Sequence, residues 1–239
     1  MASAVLIMGF PLVFLSLLAL GTLSGIWDRG MRQRFLRANH FRACLPEKAA
    51  LFRQTSRLLQ EAQDSLQILS PHTRIEAGTP VFHFGLHRSM PGGGNHVGRA
   101  FMLPLGLSTA GPFVLVFRTP GIPGGFLTPV LRKIEHVRGL NATTGLRPAP
   151  ATKGIGADPG RLLVAFTPEG IPPDHLLEPQ VRRYLSEAAR AGVTHCIYRD
   201  GWLLLEHPAG NRTDLEAVWE AVSGLIHRAP SPEELPAAG

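Results

Sequence analysis

VTHCIYRDGWLLLE, residues 193–206, is the stretch from which the fold is read. Asp200-Gly201 between two apolar and aromatic runs is a strong two-residue hairpin signal, because such a turn needs positive φ at both central positions. The turn sets Arg199 opposite Trp202, Tyr198 opposite Leu203, Cys196 opposite Leu205 and His195 opposite Glu206. One side of this hairpin is apolar enough to be core. The other carries His195, Arg199, Trp202 and Glu206, a cross-strand polar and cation-π surface.

Working outward, Arg161 to Phe166 reads as a strand and Asp174 to Ala191 as a helix. A further helix, capped by Thr213 or Asp214, runs to about His227. The middle of the chain is β-rich. Thr79 to Leu86, Val97 to Leu105 and Pro112 to Arg118 are antiparallel strands punctuated by Pro91 to Gly94 and Gly106 to Gly111. A turn over Thr119 to Gly125 precedes a helix from Thr128 to Arg138. Residues 139–160 lack apolar periodicity and read as an exposed loop between two halves. The Pro-rich tail, 229–239, reads as disordered.

The N-terminal part has a different composition. From Ala2 to Trp27 there is no charged side chain. As a helix this run spans about 39 Å, enough to cross a hydrocarbon core of about 30 Å with some tilt. A cleavable signal peptide is the alternative; it wants a basic start, a shorter apolar core and a better cleavage site than Thr22-Leu23-Ser24. Eight basic residues against Asp28 and Glu47 follow over 28–59, a net of +6 that accounts for the whole excess charge of the chain. Positive charge after the span puts the N-terminus outside and the C-terminal domain in the cytoplasm. Trp27, Arg29, Arg32, Arg34 and Arg37 are then the residues at the membrane interface. A pI of about 10.1 invites a nucleic-acid reading. A basic stretch confined to 28–59 argues against it, since a nucleic-acid footprint belongs on the folded domain.

Residues 28–42 continue as a basic interfacial helix, and a second helical pattern runs from Glu47 to Leu69. Phe52, Leu59 and Leu66 recur at seven, with Thr55, Ala62 and Leu69 between them. A helix laid against its own domain is preferred to a short coiled-coil stalk, because Thr and Ala are poor seam residues. Ser70-Pro71 ends it. The expected fold class is therefore α+β: a transmembrane anchor at 1–27, then basic juxtamembrane and amphipathic helices at 28–70. A cytoplasmic domain follows at 71–228, its halves a mainly antiparallel one (about 71–140) and a β-α-β-β-α one (160–228).

Motifs for chemistry are scarce. There is no G-x-x-x-x-G-K-[ST], G-x-G-x-x-G or G-x-S-x-G. Cys44 and Cys196 form no recognisable framework. The sequons at Asn141 and Asn211 would count only in a secreted chain. His83 and His87 share a strand face but lie about 13 Å apart on a straight strand, too far for one ion, so no metal and no cofactor is expected. The adjacent pairs Glu135-His136, Asp174-His175 and Glu206-His207 diverge on any regular element.

The segments LLVAF (162–166), LLEPQVRRYL (176–185) and DGWLLLE (200–206), behind an apolar N-terminal run and a basic helix, resemble uncharacterised bacterial single-pass membrane-anchored proteins. The resemblance covers the final third best and implies an α+β cytoplasmic domain with no catalytic signature.

The leading expectation is a membrane-tethered interaction or assembly subunit. Its partners would be the lipid bilayer and a protein, another membrane protein being one form of it; nucleic acid is not expected. The reading leans against an enzyme. The alternative is a membrane-associated ligand-binding or catalytic domain with a site near the glycine loop, at His83, His87, Asn95, His96 and Arg99. A domain released outside the cytoplasm from a signal peptide is a third possibility.

Overall fold

The computed structural model describes residues 27–45, 47–89, 95–107, 111–117, 141–149, 162–209 and 213–228. Helix α1 (27–38) opens the described chain, followed by β1 (Arg42–Ala43) and α2 (Lys48–Leu59). Three long strands follow, β2 (Leu66–Glu76), β3 (Thr79–Ser89) and β4 (Asn95–Pro104), then β5 (Phe113–Phe117), β6 (Arg147–Ala149) and β7 (Leu162–Thr167). A short α3 (Pro173–Leu176), α4 (Pro179–Arg190), the hairpin β8 (His195–Arg199) and β9 (Trp202–Pro208), and α5 (Leu215–Arg228) complete it. The strands form one sheet in the order β1-β2-β3-β4-β9-β8-β5-β7-β6, every pairing antiparallel.

Two corrections follow for the expected architecture. The β half and the C-terminal half are not separate layers: β9 pairs with β4, and β5 sits between β8 and β7, so both halves interleave in a continuous nine-stranded sheet. Helix α2 is laid against its own domain, as preferred from the sequence, but the basic helix before it is not merely interfacial. Phe35 and Leu36 of α1 are only 4% exposed and belong to the same core as Phe101, Leu205 and Trp219. Among the described residues no helix is long and apolar enough to cross a membrane, so the expected spanning helix is not part of the α+β fold they form. Residues 1–26, where that span was expected, lie outside the described residues.

The sheet is covered on both faces. Odd-numbered residues of β3, β4, β5 and β9 pack with α1, α4 and α5, whereas even-numbered ones pack with Leu51, Leu58 and Leu59 of α2. Double coverage explains continuous apolar runs such as FVLVF in β5, buried throughout, in an antiparallel sheet that would ordinarily alternate. The hairpin has the expected register, from His195 opposite Glu206 to Arg199 opposite Trp202. Asp200 (φ 50°) and Gly201 (φ 74°) make its turn. Its second side is not a surface, however, since Ile197, Leu204 and Glu206 are buried under α2.

Helix α2 stops at Leu59, where Gln60 takes a left-handed cap, rather than running to Leu69. Leu66 and Ile68 are buried while Gln67 and Leu69 are exposed, so the apparent heptad passes into the alternation of a strand. Ser70-Pro71 is a bulge in β2, with Ser70 at φ 45° and the register shifting between Leu69 and His72. Gly85 lies opposite, where a Cβ would stand 3.1 Å from that of Leu69. The expected helix at 174–191 is broken before Pro179, which disfavours helical geometry in the residue ahead of it. Asp214 caps α5 by accepting the N–H of Ala217 at 3.1 Å, as expected. The helix expected at 128–138, the glycine loop at 91–94 and the tail 229–239 lie outside the described residues.

Candidate functional site

Strands β3, β4 and β9 bring the ionisable side chains of this domain together on both faces. On the α1 side, His83 is wholly buried among Phe35, Phe41 and Phe101, its ring centroid 4.6 Å from that of Phe101. The ring of His207 stacks on it at 5.8 Å with an interplanar angle of 19°. Neither nitrogen of His83, nor Nε2 of His207, has a hydrogen-bond partner among the described residues. Burial pushes the His83 imidazole well below its ordinary pKa, helped by His207, Arg32, Arg99 and His72. His207 is lowered to about 4, again chiefly by burial. Both rings are therefore neutral at pH 7.

Arg99, opposite His207 in the β4–β9 ladder, is clasped by Asp28 of α1: Nη1 donates to Oδ1 at 2.9 Å and Nη2 to Oδ2. Arg32, one turn further along α1, turns inward and donates to the Ser70 carbonyl at 2.8 Å. Burial, with the charge of Arg99 and against that of Asp28, lowers its guanidinium to about 10. The α2 side is built differently. Nη2 of Arg88 donates to both oxygens of Glu206 at 2.7 and 2.8 Å, Nη1 reaches Glu61 at 3.3 Å, and His195 lies 3.6 Å from Glu206. Burial works against the Arg88 charge, but Glu206 and Glu61 outweigh it and raise the pKa.

Of the residues proposed around the glycine loop, the structure thus brings His83 and Arg99 into one cluster, with His207, Asp28 and Arg32 added. His87 is half-buried one row further along, between Gln67 and Val97, and does not join it. Asn95 and His96 open β4 opposite Ser89 and Arg88, with their side chains outside what is described. Among the described residues no group of three or more His, Cys, Asp or Glu could hold a metal ion. The cluster thus consists of neutral imidazoles packed as aromatic rings beside a clasped guanidinium, with Asp28 and Arg32 at its edge also lining a groove.

Of the residues assigned to a membrane interface, Arg32 is half-buried and tied to the Ser70 carbonyl. Trp27, 64% exposed, and Arg29, Arg34 and Arg37 face outward. Between α1 and the start of α5 runs a groove of about 500 Å³, lined by Trp27, Met31, Phe35, Ala38 and Leu215 together with the charged Asp28, Arg32, Arg34, Asp214 and Glu216.

The fold and its buried clusters define a helix-covered antiparallel α+β domain. No protein-family model and no curated protein matches the chain. Among solved structures it is similar to the crystal structure of the mycobacterial trehalose monomycolate transport factor A, TtfA, at 11% sequence identity and a TM-score of 0.44, over 83% of this chain and 94% of that one. A likeness this faint leaves the functional reading to the residues themselves.

Proposed function

We propose that this chain is an interaction or assembly domain that works at a membrane and engages a protein partner there, rather than a catalyst. The observation that carries the reading is the division of labour along α1. Its inner side is spent on the fold through Asp28, Arg32, Phe35 and Leu36, while Trp27 and Met31 stay 64% and 48% exposed beside outward arginines. Large exposed apolar side chains rimmed by charge are the composition of recognition surfaces. The Arg88–Glu206–Glu61 group is closed on the α2 side, and Asp28, which lines the groove beside Trp27 and Met31, is held there by Arg99.

The test is site-specific photocrosslinking of the full chain in native membranes, with the crosslinker at Met31 and, as a control, at Arg183 on the exposed side of α4. A discrete stoichiometric adduct from position 31 and none from 183 is expected. Identical diffuse labelling from both positions would overturn the reading.

A further inference from the structure

Helix α1 presents two stripes. One, through Asp28, Arg32, Phe35 and Leu36, is spent on the sheet and its core. The other runs along the groove flank through Trp27, Met31, Arg34 and Ala38, and all four are exposed. Their spacing of four, three and four residues is that of a coiled-coil seam, whose side chains interlock with those of a second helix. From Trp27 to Ala38 the stripe rises about 16 Å, three turns of helix. The two walls of the groove differ in sign. On the α1 side the exposed Arg34 sits within the stripe and Arg37 borders it, while across the groove the exposed Asp214 and Glu216 stand at the start of α5.

We infer that the occupant of this groove is an amphipathic helix of the protein partner, laid along α1 with acidic side chains toward Arg34 and Arg37 and basic ones toward Asp214 and Glu216. This rests on the assembly reading above and names the form and charge of the partner it calls for. The seam spacing favours a helix, because a partner helix meets anchors at i, i+3, i+4 and i+7, whereas an extended strand offers a period of two. Opposed charge on the two walls selects among the remaining occupants. An anionic amphiphile would bring its headgroup against Asp214 and Glu216, and a second copy packing through its own α1 would add another Arg34 and Arg37 to the same seam. Trp27 and Met31 supply the apolar anchors, a wide ring and an adaptable thioether that a second helix can cover.

The experiment places the photocrosslinker in turn at Trp27, Met31 and Ala38 of the full chain in native membranes and maps the joined residue of each adduct by mass spectrometry. Three sites on one protein are expected, separated by roughly three to four residues or one heptad along a single helical stripe. Arg34→Glu should lower the adduct yield at position 31 several-fold. Arg29→Glu, the same charge change on the opposite flank of α1, should leave that yield unchanged. Sites without helical spacing, an adduct of twice this chain's mass, or an equal fall in the two charge variants would overturn the inference and leave the assembly reading standing. Lipid adducts alone, or labelling at position 31 no different from that at Arg183, would remove both.

Discussion

Glu206 and His207 are neighbours in β9, both essentially buried, and they solve the same problem in opposite ways. Glu206 points to the α2 face and is held as an ion by Arg88. His207 points to the α1 face, where it and His83 shed their charge and pack as rings. The difference teaches where each face is vulnerable: the α2 side fails when a partner is removed, and the α1 side fails when a proton is added.

The largest expected effect lies on the α2 side. Arg88→Met leaves Glu206 and Glu61 without their cation and should cost about 3–5 kcal/mol by denaturant unfolding, whereas Arg88→Met combined with Glu206→Leu should recover much of the loss. A single and a double variant of equal stability would mean the pair is not coupled.

Next comes pH on the α1 side. His207 has a folded pKa of about 4, below the unfolded value of about 6.5, so the unfolded chain binds more protons between these values. The stability contribution is complete above pH 6.5 and is lost as pH falls through this window, by up to about 3 kcal/mol for this one ring. His207→Leu should reduce the slope of that part of the stability curve. A slope identical to that of the parent in His207→Leu would assign the acid sensitivity elsewhere, since only the share of His83 should remain.

A smaller effect is expected at the clasp between α1 and the sheet. Asp28→Ala strands the Arg99 guanidinium, which is mostly buried, and should cost about 1–3 kcal/mol by thermal unfolding. No change in the melting temperature would mean that Phe35 and Leu36 alone hold the helix.

How much of this could be read from sequence varied with the range of the interactions. The hairpin at 193–206 was fully legible, down to the pairing of His195 with Glu206, because turn chemistry fixes register over a few residues. The boundary between α2 and β2 was not. Leu59 and Leu66 fit a helical repeat, and only the left-handed Gln60 and the bulge at Ser70 reveal the switch to alternation. His83 and Arg99 were visible as a pair near the loop, but His207 enters through the β4–β9 ladder and Asp28 from 71 residues away, pairings that no local pattern encodes. Residues 28–42 were read as interfacial because their charges dominate; Phe35 and Leu36, which decide the packing, are two apolar residues among many.

The most direct test of α1 as a docked element with an outward face is hydrogen exchange on the full chain. Amides of residues 31–38 should be protected nearly as well as those of β4, and Arg99→Met should release them while β8 and β9 stay protected. Exchange of that helix at the rate of exposed turns, with or without Arg99, would contradict it.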